Sequence, residues 1–151
     1  MPGDRIANEE WHDAGAAPAR LDLSVRGPNG LLYRHATALT PNAALAEVTL
    51  AGRPDAAMVT LTMSNRGSTP LVFETTLAEP YATTGARHRR IVVPPHQSVA
   101  DHWSVARSDH WYDLTITTES DPHFLRRFAG KLDDGRAGRT DPAIGAMRVM
   151  A

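Results

Sequence analysis

The sequence predicts an all-β protein, an antiparallel β-sandwich of the immunoglobulin-like or C2-like kind with about seven to nine strands. Short runs in which apolar and polar residues alternate, such as MVTLTMSN and WYDLTITT, recur along the chain. Such alternation places one face of each strand against a core. Clusters of Gly, Pro, Asn and Asp separate the runs at spacings typical of a sandwich or barrel. No segment carries the sustained apolar stripe of an amphipathic helix.

The predicted strands follow one another from residue 46 onward. Alternating runs lie at 46–50, 59–64, 71–77, 89–93, 99–105 and 112–117, and Phe124 and Phe128 close the series. Turn clusters lie between them at 52–55, 65–70, 94–96 and 120–122. Gly permits a positive φ, Pro presets φ, and Asn or Asp bonds to its own backbone, so each cluster is expected to reverse the chain.

An internal repeat divides the chain. LDLSV at 21–25 matches YDLTI at 112–116, and LLYRHA at 31–36 matches FLRRFA at 124–129, while Trp11 and Trp103 stand at similar distances upstream. We therefore expect residues 11–36 to be the end of one copy and residues 37–135 to be a complete second copy, the reading frame having begun inside a longer ancestral one. Residues 1–10 are expected to be flexible, and 136–151 to be a flexible tail or one short terminal turn.

The first copy lacks its front strands, and two alternatives follow. Its last strands either add to the sheets of the second copy, because an unpaired strand edge invites pairing, or Met1–Ala36 is partly disordered. The turn GPNG at 27–30 is expected to join two strands as a hairpin.

Composition excludes several classes of function. The formal net charge of −1 and the pI of about 6.6 argue against general affinity for nucleic acid. The absence of cysteine excludes disulfides and thiolate chemistry. The polar, acidic start MPGDRIANEEW is unlike a signal peptide, and no apolar run approaches the roughly 20 residues of a transmembrane segment.

The repeated motif carries a resemblance to a known family. LDLSVRGPNGLLYRHA resembles the strand–turn–strand signature of the C-terminal repeat domain of bacterial, phosphocholine-preferring phospholipases C, and WYDLTITTESDPHFLRRFAGKLDDG resembles its last repeat. LTMSNRGSTPLVF and IVVPPHQSVADHWSV resemble that family's N-x-G hairpin and its strand ending in Trp. The first copy departs from the signature at Leu21, Tyr33 and Thr37. The motif residues, taken as structural, are Trp103, Tyr112, Asp113, Leu114, Phe124, Arg126, Phe128 and Gly130.

The resemblance implies a non-catalytic accessory domain. In that family a separate N-terminal domain hydrolyses the phospholipid phosphodiester, in lipid catabolism, and the proteins are usually exported. The expected partners are therefore that catalytic domain, in cis or in trans, or a phospholipid surface. Two alternatives are an independent lipid-, glycan- or protein-binding module and a remnant without present function.

Candidate site residues are few. The seven histidines show no H-x-H or H-E-x-x-H spacing, so we expect neither catalytic residues nor a metal or other cofactor. The basic run at Arg87, Arg89 and Arg90 predicts either a headgroup contact or an edge strand protected by charge. Trp103 shares the parity of core residues. Trp111 has the opposite parity to Tyr112 and is expected to be exposed, which makes it the aromatic candidate for binding.

Overall fold

The computed structural model describes residues 20–40, 45–82 and 86–145 and confirms the all-β prediction. Two antiparallel sheets pack face to face as a β-sandwich. The nine strands are β1 (Arg20–Arg26), β2 (Leu32–Ala38), β3 (Ala46–Arg53), β4 (Met58–Asn65), β5 (Leu71–Leu77), β6 (His88–Val93), β7 (Ser98–Ser104), β8 (Trp111–Thr118) and β9 (Asp121–Lys131). Short 3-10 turns lie at Pro54–Ala56, Glu79–Tyr81 and Ala106–Ser108, and a four-residue helix, α1, at Pro142–Gly145.

The larger sheet has the strand order β1-β2-β9-β8-β5-β6, and the smaller has the order β3-β4-β7. Alternation along the strands produces the core between them. In β4, for example, Val59, Leu61 and Met63 are fully buried and belong to the same core cluster as Leu114 and Ile116 of the larger sheet. Burial of so many apolar side chains is the main term that holds the two sheets together. The described residues include no helix long and apolar enough to cross a membrane.

The hairpin predicted at GPNG is confirmed. Asn29 and Gly30 have φ of 56° and 69°, and Leu31 N–H donates to the Pro28 carbonyl over 3.2 Å. Two consecutive left-handed residues make a type I′ turn, whose twist matches that of the flanking strands, and Asn-Gly is the pair that adopts it most readily.

The N-terminal hairpin, β1 and β2, extends the larger sheet beyond β9. Strand β2 pairs antiparallel with β9 over residues 32–36, and β1 pairs with β2 along its whole length. Of the two alternatives left open by the sequence, the structure therefore shows strand addition for residues 20–38. Trp11 and the rest of residues 1–19 lie outside the described residues.

Residues 132–145 return along the sandwich and contact it at several points. The Tyr81 hydroxyl donates to Asp141 Oδ1 over 2.7 Å, and Ala143 packs against the core. Burial and the Asp141 carboxylate both raise the pKa of Tyr81, so this phenol stays protonated and remains a donor. Pro142–Gly145 forms the short terminal turn, and residues 146–151 lie outside the described part.

Candidate functional site

The two copies of the repeated hairpin meet about a local two-fold axis. Residues 32–36 of β2 pair with residues 129–125 of β9, and Arg34 lies directly opposite Arg127. These two arginines occupy the same position of the repeat. Every other pair in this ladder joins a residue of one copy to the reciprocal position of the other, so the contact is isologous. The hairpins also share their internal register, since Asp22 pairs with Ala36 and Asp113 with Ala129.

A row of four charged side chains crosses the outer face of the sheet at this axis. Arg34 Nε and Nη2 donate to Asp22 over 2.9 and 2.6 Å, and Arg127 Nε and Nη2 donate to Asp113 over the same two distances. We call Asp22, Arg34, Arg127 and Asp113 the Asp–Arg row. Bidentate pairs of this kind combine charge with fixed geometry. Each carboxylate neutralises the arginine of its own copy, which lets two guanidinium groups approach each other across β2 and β9.

The environments of the two ion pairs differ. The Asp113 side chain is 12% exposed and the Asp22 side chain 40%. The hydrogen bond from Arg34 lowers the pKa of Asp22, and the bond to Asp113 raises the pKa of Arg127. The two copies of the repeated motif each contain this Asp and this Arg, but the match between the copies does not show that the two residues form an ion pair. The hairpin register of the GPNG turn would have revealed the pair, because it brings the two positions to diagonal neighbours on one face.

Unequal burial predicts unequal costs of mutation. Asp113→Ala should lower the free energy of unfolding by about 1–3 kcal/mol, because it removes the less exposed of the two carboxylates and both of its charge-assisted hydrogen bonds. Asp22→Ala should cause a clearly smaller loss, since solvent screens the exposed pair. Urea denaturation of the two variants side by side checks the order. Equal losses would contradict this account of the Asp–Arg row.

The opposite, core-side face of the axis is aromatic. The rings of Tyr33 and Phe128 lie edge to face with centroids 5.2 Å apart, and His35 meets the same Phe128 ring at 5.8 Å. Arg126 lies over the Phe124 ring at 4.3 Å and donates to the Ala36 carbonyl over 2.9 Å. Burial, followed by the Arg126 charge, lowers the pKa of His35.

This shift predicts a pH dependence of stability. The unfolded chain binds a proton at His35 near the ordinary pKa of 6.5, whereas the folded chain binds it only at lower pH. The contribution to stability is therefore complete above pH 6.5 and is lost as the pH falls below it. His35→Phe, which copies Phe128 of the other repeat, should reduce the loss of stability between about pH 7.5 and pH 5.5. Denaturation midpoints at both pH values test this, and an unchanged pH difference in the variant would contradict it.

A buried asparagine organises the turn after β4. Asn65 is 2% exposed, and its Nδ2 donates to the carbonyls of Thr69 and Val93 over 2.8 and 3.0 Å. Its Oδ1 accepts from Gly67 N–H over 2.8 Å. This is the Asn of the N-x-G hairpin singled out in the sequence. The side chain satisfies three backbone groups, of which those of Val93 and Gly67 are in buried hydrogen bonds, and it links β4 to β6 across the two sheets.

Trp103 lies in the core, as expected, with an arginine and a carboxylate around its indole. Its Nε1 donates to Asp101 Oδ2 over 2.7 Å, and the Arg89 guanidinium lies 3.8 Å from the ring centroid. Arg89 also donates to Asp101 Oδ1 over 2.5 Å and to the His102 carbonyl over 2.8 Å. Arg89 thus links β6, an edge strand of the larger sheet, to β7, an edge strand of the smaller sheet.

The basic run lies on an edge strand and its cations are matched by acids. Strand β6 is last in the larger sheet. Arg87 contacts Glu79 at 3.4 Å, and Arg90 contacts Glu119 at 3.1 Å and Glu74 at 3.6 Å. With Arg89 bound to Asp101, each of the three arginines proposed as a headgroup contact already has a carboxylate partner.

The expectation that Trp111 is exposed is wrong. The residue is 8% exposed, and its indole Nε1 donates to the Arg139 carbonyl over 3.0 Å. The ring lies so close to the β1–β2 turn that a Cβ added to Gly30 would sit 3.0 Å from it. Strand parity placed the ring correctly on the outer face. It could not show that the chain beyond β9 covers that face.

The two arginines of the motif have different surroundings. Arg127 is paired with Asp113, whereas Arg126 is half-buried beside Phe124. Gly130 has φ of +155°, which L side chains rarely adopt, so the motif requires glycine there. The remaining motif side chains, Tyr112, Leu114, Phe124 and Phe128, are buried in the core.

A cleft of about 490 Å³ opens at the end of the sandwich where β2 stops and β3 begins. Its walls carry the hydroxyls of Ser68, Thr69 and Ser120, the Phe124 ring and the Asp121 carboxylate. Asp121 Oδ1 accepts from His123 N–H, whereas the buried Oδ2 has no hydrogen-bond partner. In residues 20–40, 45–82 and 86–145, no three or more His, Asp or Glu side chains are grouped so that they could hold a metal ion.

The chain is similar in sequence to a known protein family and to several of its members. Residues 46–131, which are strands β3 to β9, match the model of the bacterial phospholipase C C-terminal domain. The chain is 33% identical over 146 residues to the non-hemolytic phospholipase C of Pseudomonas aeruginosa, covering 92% of this chain and 21% of that protein. It is 29% identical to the hemolytic phospholipase C of the same organism over 93% of this chain and 19% of that protein. The non-hemolytic phospholipase C of Burkholderia pseudomallei is 33% identical, with shares of 91% and 19%. The chain thus spans about a fifth of these relatives' length.

Proposed function

We propose a function from the premise that this chain belongs to the family of bacterial phospholipase C C-terminal domains. In this proposal the chain is a non-catalytic accessory domain that stabilises or positions a phospholipid-hydrolysing domain. The observation that carries the proposal is the use made of the motif side chains. These side chains lie either in the core or in the Asp–Arg row, where Asp113 and Arg127 neutralise each other. None is left as a free acid, base or nucleophile facing a cleft, which hydrolysis would require.

The same proposal assigns the two parts of the chain. Strands β1 and β2 are the end of a preceding repeat, and β3 to β9 form a complete repeat within the predicted range 37–135. The shared register of the two hairpins supports this assignment. The similarity to the Pseudomonas enzymes supports it too, since an alignment covering 92% of the chain extends well beyond residues 46–131.

Turnover by the purified chain tests the non-catalytic part. We expect no hydrolysis of a chromogenic phosphocholine ester, with or without added Zn²⁺, Ca²⁺ or Mg²⁺. Metal-dependent hydrolysis that a single substitution in this chain abolishes would refute the proposal. A hydrolysis rate that is unchanged by every substitution would instead identify a contaminating enzyme.

Addition in trans tests the accessory part. The chain is mixed with a family phospholipase C from which the C-terminal domain has been removed, and the melting temperature and hydrolytic rate of that enzyme are followed. We expect one or both to rise in proportion to the chain added, and heat-denatured chain serves as the control. No change at saturating chain would contradict an accessory role in trans, and the same comparison within a fused protein decides the role in cis.

A binding module is the second candidate, and the cleft at the end of the sandwich favours it. The cleft is lined by the hydroxyl-bearing residues Ser68, Thr69 and Ser120 together with Asp121, and such a lining suits a polyhydroxylated ligand such as a glycan. The paired arginines and the buried Trp111 do not favour a lipid surface. Glycan-array binding that is lost in Asp121→Ala and kept in Asp133→Ala, whose carboxylate lies outside the cleft, would support the module. Binding to anionic vesicles that is lost in Arg87→Ala/Arg90→Ala would support a lipid ligand instead.

A further inference from the structure

We propose that the outer edge of β1 is a self-association surface, through which two copies of this chain pair β1 with β1, antiparallel, about a two-fold axis at Ser24. Strand β1 is first in the order of the larger sheet, and within the described part of the chain only β2 pairs with it. Its seven residues contain no Pro or Lys, and its register with β2 has no bulge. Lysine, proline and bulges are among the devices that protect edge strands from pairing with another chain, and the charged residues that β1 does carry, Arg20, Asp22 and Arg26, are of both signs.

The internal repeat shows what this edge is missing. Leu23 and Val25 stand where Leu114 and Ile116 stand in β8, and both of those β8 residues are fully buried. Val25 is 60% exposed. Strand β8 has β5 along its other side over residues 114–118, whereas no described strand lies along β1 there. An apolar strand that is central in one copy is thus a sheet edge in the other.

Charge selects the register of the pairing. Two β1 strands form one continuous apolar face only if residues of equal parity lie opposite each other. An axis at Asp22 would oppose that carboxylate to itself, and an axis at Leu23 would oppose Arg20 to Arg26, twice. Axes at Leu21 and at Ser24 each oppose Asp22 to an arginine of the second copy, twice, with no like-charge pair among these residues. Of the two, only the axis at Ser24 also places Leu23 opposite Val25, so it is the register that combines opposite charges with apolar cover. Opposite charges across strands stabilise pairing and like charges destabilise it.

The same register also covers apolar surface and provides a partner for Arg26. It places Leu23 of one copy beside Val25 of the other, which covers the exposed Val25. Among the described residues Arg26 has no ion-pair or hydrogen-bond partner, and it would join Arg34 at the second copy's Asp22 carboxylate. The other end of the larger sheet differs, because His88, Arg89 and Arg90 of β6 already contact carboxylates of the same chain.

Solution mass with charge variants tests the surface. The full 151-residue chain should show a concentration-dependent monomer–dimer equilibrium in sedimentation velocity. Arg26→Asp and Asp22→Lys each place like charges opposite each other and should each weaken dimerisation at least about tenfold. An equimolar mixture of these two variants restores both attractive pairs and should form heterodimers. Circular dichroism of each variant establishes that it is folded.

Cross-linking tests the register, and the absence of native cysteine makes it clean. Directly opposed residues of an antiparallel pair lie about 4.5–5.5 Å apart at Cα, within the range of a disulfide. Ser24→Cys should therefore form an intermolecular disulfide under mild oxidation. Arg20→Cys is the matched control, since its two copies would lie about 26 Å apart.

Each outcome decides the proposal. A wild-type chain that is monomeric at every concentration would overturn it and would mean that residues of the same chain cover the edge or that it stays open. A dimer that survives Arg26→Asp, or that cross-links as well through Arg20→Cys as through Ser24→Cys, would overturn the β1 register. The result does not depend on the accessory role proposed above, because no phospholipase enters the measurement.

Discussion

Asn65→Leu should lower the free energy of unfolding by about 3 kcal/mol or more. The substitution removes three hydrogen bonds and leaves the carbonyls of Thr69 and Val93 and the N–H of Gly67 without their partner. A buried polar group without a partner costs roughly 1–3 kcal/mol, and such losses within one network are not additive. Urea denaturation followed by tryptophan fluorescence gives the difference directly.

Two further variants separate the hydrogen bonds from the turn itself. Asn65→Asp keeps the acceptor for Gly67 but replaces the Nδ2 donor with a buried carboxylate beside two carbonyls, so it should destabilise at least as much as Leu. Arg66→Ala changes the exposed neighbour in the same turn, whose guanidinium pairs with the exposed Glu47, and should have little effect. If Asn65→Leu proved as mild as Arg66→Ala, the bonds of Asn65 could not be what holds the two sheets at this end.

Phe73→Ala is expected to destabilise by about 3–5 kcal/mol, the cost of removing a large aromatic side chain from a packed core. Phe73 is fully buried on β5, the strand next to the edge strand β6 in the larger sheet, and its ring meets Phe124 edge to face with centroids 6.0 Å apart. The cavity would also leave Phe124, a motif residue, without its aromatic neighbour. Chemical denaturation and thermal melting should agree on the loss.

The matched control for this core variant lies on the neighbouring strand. Val92 is directly opposite Val72 in β6 and is 50% exposed, so Val92→Ala should change stability by only a few tenths of a kcal/mol. Phe73→Leu should fall between the two, because it keeps most of the apolar volume. A Phe73→Ala variant no less stable than Val92→Ala would show that this face of β5 is not the core.

The local sequence pattern was sufficient to predict the strands and the hairpin turn. Val59, Leu61 and Met63 alternate with polar residues and are buried, and the Asn-Gly pair made the turn that its left-handed preference favours. The internal repeat also allowed for the addition of β1 and β2 to the larger sheet. These features depend on neighbours in sequence or on one copy matched to the other.

Contacts between distant parts of the chain were beyond the same reasoning. Trp111 is covered because residue 139 returns over the outer face, and no periodicity within β8 carries that information. Arg126 is half-buried because β2 supplies the Ala36 carbonyl that it binds. The partners of Arg87, Arg89 and Arg90 likewise come from other elements. From the sequence, the basic run was therefore compatible with a headgroup contact, whereas in the structure each of these charges has a carboxylate partner.

The axis at Arg34 and Arg127 sets a limit on how such repeats can accumulate. Each copy contributes the same strand, β2 or β9, to the junction, so joining two copies consumes the surface on both. Contacts of this reciprocal kind close at two, whereas head-to-tail contacts can extend without end. A chain with three repeats could not attach the third in the same way. Repeats of this fold should therefore occur as pairs, and any longer array would need a different joint between one pair and the next.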